Sequence, residues 1–526
     1  MRSTWQKARV EAADPCGGEA ETGRIQKASK NIAAGYMGQA ISSLMGFALR
    51  TVFIMRLPDT LLGVNGLYSS ILSMLSLAEL GVGTAMNYSL YAPMAAGDTE
   101  KLKSYMAAYK KAYRYIALAI AAIGLALTPF LKFIVGAQDL VTERQLVFYY
   151  LIFLFNTVST YFVSYKYGLC WAEQKNYIQT NILTATKIAT ALAQMAVILA
   201  TGNFTAYLLT GSAVQVLQIL FVSFYLDRKY PYLRDREHEP LTAEESGELK
   251  NKTKALMLHK VGDTARLQTD AIIISSFINV VVVGIVDNYN MIINTASSLA
   301  GVIFNSVITS FGNLIATEDR EKQYDAFRIY RFAAVWLYGF LTAGFCSLLT
   351  PLVRLCWGDK WALGNAAVYL ILMDFYFKGE RIVLSNFKTA AGVFEPDRYL
   401  ALIQGAVNLV LSVALVIKIG LPGVYIGTVV SGLIANITKP VIIYRHCFGR
   451  GCSSYFRDSA GFDLFTFALV SVCVLLQKMI MKNATVLTFG ITMVVVTLVF
   501  NGAFLLVFGR SYECGRILGL IRRRGK

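Results

Sequence analysis

Charge is scarce in this chain. Asp, Glu, Lys and Arg make up 16% of its 526 residues against 55% hydrophobic residues, with a mean hydropathy of +0.50, so soluble domains of this total length could not stay dissolved. No GxxxxGK(S/T) stretch occurs, which excludes a P-loop and direct use of ATP through one. The first thirty residues hold six basic residues and no apolar core, so they read as a cytoplasmic tail, not a cleavable signal peptide. The eight cysteines show no paired spacing in an outer loop, and His446, Cys447 and Cys452 match no standard zinc pattern; neither a disulfide framework nor a metal site is expected.

Long apolar runs are abundant instead. About fourteen are long enough to cross hydrocarbon, centred near residues 44, 76, 124, 157, 188, 215, 267, 298, 338, 377, 407, 432, 470 and 497. They are too long and too continuously apolar for barrel strands, so an all-α integral membrane fold is expected. The net charge of +17 is distributed by topology. With the N-terminus cytoplasmic, inner segments hold roughly thirty-four Lys and Arg against about eight outside, which points to membrane orientation and anionic lipid, not nucleic acid.

The chain also repeats itself. LTPFLKFIVG (127–136) aligns without gaps on LTPLVRLCWG (349–358) at a displacement of 222, GDTEK at Gly97 on EDREK at Glu318 at 221, and Gly202 with Tyr207 on Gly420 with Tyr425 at 218. Six helices per copy return the chain to the same side, so parallel repeats are expected: two pseudo-symmetric six-helix bundles around a central cavity, plus two C-terminal helices. The expected divisions are a cytoplasmic tail over 1–30, a first lobe over 31–226, a cytoplasmic linker over 227–254, a second lobe over 255–444, a loop over 445–459, two helices over 460–509 and a basic cytoplasmic tail over 510–526.

HKVGDTARLQTDAIII (259–274) places His259, Asp263, Arg266 and Asp270 on one helical face inside an apolar segment. Charge at that depth must face protein or a water-filled cavity. A displacement of 220 maps Asp270 onto Arg50, so these two are expected to approach across the cavity. Further polar stripes include Asp287, Asn290, Asn294 and Ser297 on the eighth helix, Asp374, Lys378 and Arg381 on the tenth, and Thr180, Thr184, Lys187 and Gln194 on the fifth. Arg50, Lys187, Arg266, Lys378 and Arg381 are the candidates for binding substrate in the cavity; Asp263, Asp270, Asp287 and Asp374 are the candidates for coupling or gating, through a proton or sodium. Salt bridging within the fold is the competing reading for Asp263, Arg266 and Asp270.

LGVNGLYSSILSMLSLAELGVGTAMNYSLYAPMAAGD (62–98), followed by a basic helix start, resembles the polysaccharide-transporter (Wzx-type) family of lipid-linked oligosaccharide flippases, and the stretch from His259 to Ile293 resembles the start of that family's second lobe. The family lies in the multidrug/oligosaccharidyl-lipid/polysaccharide exporter superfamily. The resemblance implies a bacterial plasma-membrane protein that moves undecaprenyl-pyrophosphate-linked oligosaccharide by alternating access, with membrane lipids and polysaccharide-assembly proteins as partners. Cationic cavity residues would then engage phosphate. Peptidoglycan-precursor flippases of the superfamily place an Arg next to an Asp in the first helix, whereas here Thr51 follows Arg50.

Three alternatives carry different signatures. A lipid II flippase would share the fold. A drug exporter would need an acidic, aromatic cavity for cations. A membrane glycosyltransferase or polymerase would need catalytic carboxylates in a sizeable outer loop, and the outer loops here are short.

Overall fold

The computed structural model describes residues 17–79, 82–135, 141–235, 239–393, 396, 399–483 and 485–524. Within its helices the side chains of His259, Lys260, Asp263 and Arg266 lie outside the described set. The described residues form helices and no strand.

The first copy runs through α1 (Gly17–Arg56), α2 (Asp59–Leu75), α3 (Val82–Ala96), α4 (Thr99–Leu127), α5 (Leu131–Val135), α6 (Glu143–Ser164), α7 (Tyr167–Ala172), α8 (Asn176–Thr201) and α9 (Phe204–Lys229). The second runs through α10 (Ala243–Phe277), α11 (Val280–Asn305), α12 (Ile308–Thr317), α13 (Arg320–Trp357), α14 (Asn365–Glu380), α15 (Ile382–Ala391), α16 (Leu400–Ile419) and α17 (Leu421–Ile443). α18 (Ser453–Ile480), α19 (Val486–Phe508) and α20 (Tyr512–Arg524) follow. Helix α1 begins at Gly17, so part of the stretch read as a tail is helical.

Element boundaries repeat with the sequence. α2 and α11 start 221 residues apart (280 minus 59), α4 and α13 start 221 apart (320 minus 99), and α6 and α14 start 222 apart (365 minus 143). The recurring motifs are the punctuation of these helices. Asp98 accepts from the Lys101 backbone N–H at 2.9 Å and Asp319 from that of Lys322 at 2.9 Å, so both copies of the charged motif supply an N-cap. Gly202 and Gly420 close α8 and α16 at φ of 60° and 66°, in the left-handed region that favours glycine.

Packing repeats too. α1 lies on α8 as α10 lies on α16, α8 on α9 as α16 on α17, and α6 on α9 as α14 on α17. Eleven helices among the described residues are long and apolar enough to cross a membrane. The expected segments near 76, 267 and 377 are not among them. The first is divided between α2 and α3 by a 3-10 turn at Ser76–Glu79, the second carries the charges of α10, and the third is broken at Arg381.

The two copies cross along α2 and α11 near one end of the bundle, here termed distal. A Cβ on Gly63 would stand 1.9 Å from the Val280 carbonyl oxygen, and one on Gly284 would stand 2.8 Å from the Gly63 nitrogen. Only glycine permits that approach. Gly63 and Gly284 are counterparts (284 minus 63 is 221), and a residue touching its own counterpart lies on the pseudo-two-fold axis. Other contacts hold the distal ends together: Trp357 Nε1 donates to Thr51 Oγ1 at 3.1 Å, Lys360 pairs with Asp59 at 3.0 Å, and Ser275 Oγ donates to the Ile134 carbonyl at 2.7 Å.

Helices α18 and α19 pack on α13, where Phe332 meets Phe462, Phe504 and Phe508. Their outer sides carry Leu464, Leu475, Leu498 and Leu506, all exposed and suited to lipid.

Candidate functional site

On the proximal side of the α2–α11 crossing lies a cavity of about 730 Å³, within the size range of ligand sites. α1 contributes Gln39, Ser42 and Ser43, α6 Asn156 and Thr160, α8 Thr186, Lys187, Thr190 and Gln194, α9 Gln215 and Gln218, and α11 Asn294, Thr295 and Ser298. Each wall helix turns a polar stripe inward and leaves its apolar residues to lipid or core, which its spacing requires.

Several of these groups are held in place. Gln194 Nε2 donates to the Tyr207 carbonyl at 3.1 Å, tight against Gly211, where a Cβ would stand 2.7 Å from that nitrogen. Gln215 Nε2 donates to Ser159 Oγ at 2.9 Å and to the Asn156 carbonyl. Thr295 Oγ1 donates to Ser43 Oγ at 3.2 Å, joining the second copy to the first across the cavity. Lys187 is the charged residue of the lining, and its side chain is exposed into the space. Among the described residues no carboxylate lies within ion-pair distance of it.

The axis carries a second site. Asp287 lies one turn beyond Gly284 on α11, and a Cβ on Gly66, its counterpart on α2, would stand 1.8 Å from Asp287 Oδ2. The absent side chain makes the space for the carboxylate. Arg50 on α1 has Asp287 and Tyr207 as its electrostatic neighbours, and Tyr425, the counterpart of Tyr207, lies near Asp270 and Asp287.

The carboxylate that acts on Arg50 is therefore Asp287 and not the expected Asp270. Asp270 instead accepts from Thr428 Oγ1 at 2.9 Å, within a network in which Asn408 Nδ2 donates to Thr428 at 3.0 Å. Lys378 and Asp374 pair with each other at 2.5 Å along α14. Arg381 is buried, donating to the Gly432 carbonyl at 3.2 Å and to Asn436 Oδ1 at 2.6 Å, so it braces the second copy and does not reach the cavity. Glu380, beside it, faces Arg331 at 3.9 Å and accepts from Ser459 on α18. Asp263 and Arg266 fall on side chains outside the described set. Among the described residues, Lys187 is the one expected charged residue in the lining of this cavity, with Gln194 and Asn294 of the expected polar stripes beside it.

Asn156, Gln215 and Gln218 carry no charge, so they escape a reading based on buried charge. Asp287 facing a glycine at a displacement of 221 is a signal that could have located the axis.

No family profile matches the sequence, and no curated protein matches it. Solved structures do match. One is the lipid II flippase MurJ in an inward closed conformation, at TM-score 0.68 and 13% identity, covering 90% of this chain and 98% of that one. Another is an inward-facing multidrug resistance MATE family transporter of the MOP superfamily, at TM-score 0.60 and 15% identity over 78% and 96%. This chain has the fold of the MOP-superfamily transporters. A third member, from Pyrococcus furiosus, matches at TM-score 0.53 and 14% identity over 79% and 94%, and is described as having a binding pocket of reversed polarity. The MOP fold is a multi-span membrane fold, in agreement with the apolar helices.

Proposed function

We propose that the chain is a flippase that carries an undecaprenyl-pyrophosphate-linked oligosaccharide across the bacterial plasma membrane by alternating access, with both termini cytoplasmic. The observation that carries this reading is the cavity lining: amides and hydroxyls from five helices, one cation at Lys187, and no Asp or Glu among the described lining residues. Amides and hydroxyls pair with the hydroxyls of a sugar in either direction, and an ammonium pairs with a phosphate. A lipophilic cation would find neither charge complement nor aromatic wall there.

The lobes, as divided above, would rock about the glycine crossing of α2 and α11. With the distal side outward, the present arrangement is closed to the exterior. Arg50 and Asp287 at the axis sense that closure, and Asp287 or Asp270 would couple it to a proton or sodium; Arg266 would add a second phosphate contact. A groove of about 200 Å³ between α11, α13 and α19, lined by Ile292, Phe340, Leu348 and Phe489 among other apolar residues, suits part of an isoprenoid chain.

A lipid II flippase is the second reading, favoured by the likeness to MurJ over 90% of this chain. Thr51 after Arg50 stands against it. Deletion in the native host distinguishes the readings. Complete undecaprenyl-linked repeat units held in the cytoplasmic leaflet support the first proposal, lipid II held there supports the second, and units lacking one sugar point to a transferase and overturn both.

A further inference from the structure

A second recess, of about 800 Å³, opens at the proximal end of the first copy between α4, the end of α9 and the turn at Pro231–Arg234. One face of α4 supplies Lys103, Lys111 and Arg114 at spacings of eight and three. Lys166 forms the floor, buried and held by Asp227 Oδ1 at 2.7 Å and Ser223 Oγ at 2.8 Å. Lys103 is neutralised by Asp235 at 2.8 Å and Glu100 at 2.9 Å. Lys111 and Arg114 are exposed, with no carboxylate at ion-pair distance among the described residues. One turn further, the same face becomes Tyr115 and Leu118, 63% and 66% exposed, the change from charge to tyrosine to hydrocarbon that marks a membrane interface.

The duplication shows what belongs on such a face. At a displacement of 221, Lys110 and Lys111 correspond to Arg331 and Phe332 on α13. There α18 and α19 cover the surface: Arg331 donates to Ser459 at 2.7 Å and lies 3.8 Å from the Tyr455 ring centroid, and Phe332 packs on Phe462 and Phe504. The first copy has no counterpart of α18 and α19, and Lys111 stands where the second copy has phenylalanine. Its face is open and cationic where the other is covered.

We infer that the α4 recess binds the phosphate headgroup of an anionic phospholipid, with Lys111 and Arg114 on the phosphate and the acyl chains along Tyr115 and Leu118. The inference rests on the membrane-spanning fold and is independent of the cargo in the central cavity.

The test is native mass spectrometry of the full-length protein released from nanodiscs of phosphatidylcholine with a minor fraction of phosphatidylglycerol. Wild type should retain phosphatidylglycerol selectively, and the Lys111→Gln/Arg114→Gln variant should lose affinity roughly thirtyfold, since each cation at an anionic surface contributes about a factor of five. A control variant, Lys322→Gln/Arg354→Gln, removes two exposed cations elsewhere and should retain the lipid as wild type does. Equal retention of both lipids by wild type overturns the inference. So does displacement of the lipid by equimolar inorganic phosphate, which would mark a free-anion site, or a co-purifying helical protein held in the recess through Lys111 and Arg114 in place of lipid.

Discussion

Gly66 and Asp287 are counterparts 221 residues apart, and the glycine leaves the carboxylate the space its own Cβ would fill, 1.8 Å from Oδ2. Gly63, one turn away, faces the backbone of Val280, whose carbonyl oxygen an added Cβ would meet at 1.9 Å, where no rotamer change can give relief. Gly63→Ala should therefore destabilise the closed distal side by about 1–3 kcal/mol, the usual cost of overpacking. In a cysteine-free background, Ser275→Cys, buried in the distal contact, should become reactive to an impermeant maleimide when Gly63→Ala is added. Unchanged protection would show that the crossing is not the closure.

Arg50 and Asp287 should behave as one unit. Each is partly buried and each is the other's charged neighbour, so Arg50→Gln and Asp287→Asn should each lower the unfolding temperature and transport. The exchange Arg50→Asp/Asp287→Arg should recover part of both. Arg50→Asp/Asp270→Arg should recover neither, because Asp270 is bound to Thr428. Recovery in the second exchange alone would reinstate the pairing inferred from equal depth.

Lys187→Gln should leave stability unchanged and weaken cargo binding. A charge-assisted hydrogen bond contributes about 1.5–3 kcal/mol, roughly tenfold to a hundredfold in apparent affinity. Lys187→Arg should retain most transport. Equal transport by wild type and Lys187→Gln would remove this residue from the cargo path.

The Arg331–Glu380 cluster fastens α18 to the second copy. Arg331→Ala leaves Glu380 buried without its cation and should lower stability by about 3 kcal/mol, read as earlier thermal unfolding, with the fraction that remains folded still active. Loss of transport at full stability would mean the cluster does more than fasten.

The linker carries a pH dependence. Lys101, through a hydrogen bond to its side chain, and then the Thr242 backbone N–H hold the Glu245 carboxylate below its ordinary value of 4.5. A carboxylate with a depressed value contributes stability that is present above 4.5 and lost as pH falls through the lower, folded value. Trypsin cleavage of the linker after brief acid exposure should rise below that point in wild type. Glu245→Gln should show no such step.

Much of this fold was legible because its punctuation is chemical. Asp98 and Asp319 start the same helix in both copies, and Gly202 and Gly420 stop the same helix, so displacement alone recovers the duplication. Pairing across the cavity was not legible in the same way. A two-fold axis puts counterparts at equal depth on opposite sides, so Arg50 and Asp270 share a height without meeting. Only residues on the axis touch their own counterparts, as Gly63 does Gly284 and Gly66 does Asp287. Arg381 sits at the break between α14 and α15, where helical periodicity no longer sets its direction, and it turns toward Asn436. The amide lining of the cavity depends on which helices adjoin, and that is a tertiary fact.

The most direct test of the account is leaflet transfer in vesicles reconstituted with the pure protein and undecaprenyl-pyrophosphate-linked oligosaccharide, followed by an impermeant reagent that reads the sugar in the outer leaflet. Wild type should move the sugar across, and Lys187→Gln should move it roughly tenfold more slowly or worse at limiting cargo. No transfer of the glycan lipid by folded wild type, with transport of a lipophilic cation in its place, would contradict the account.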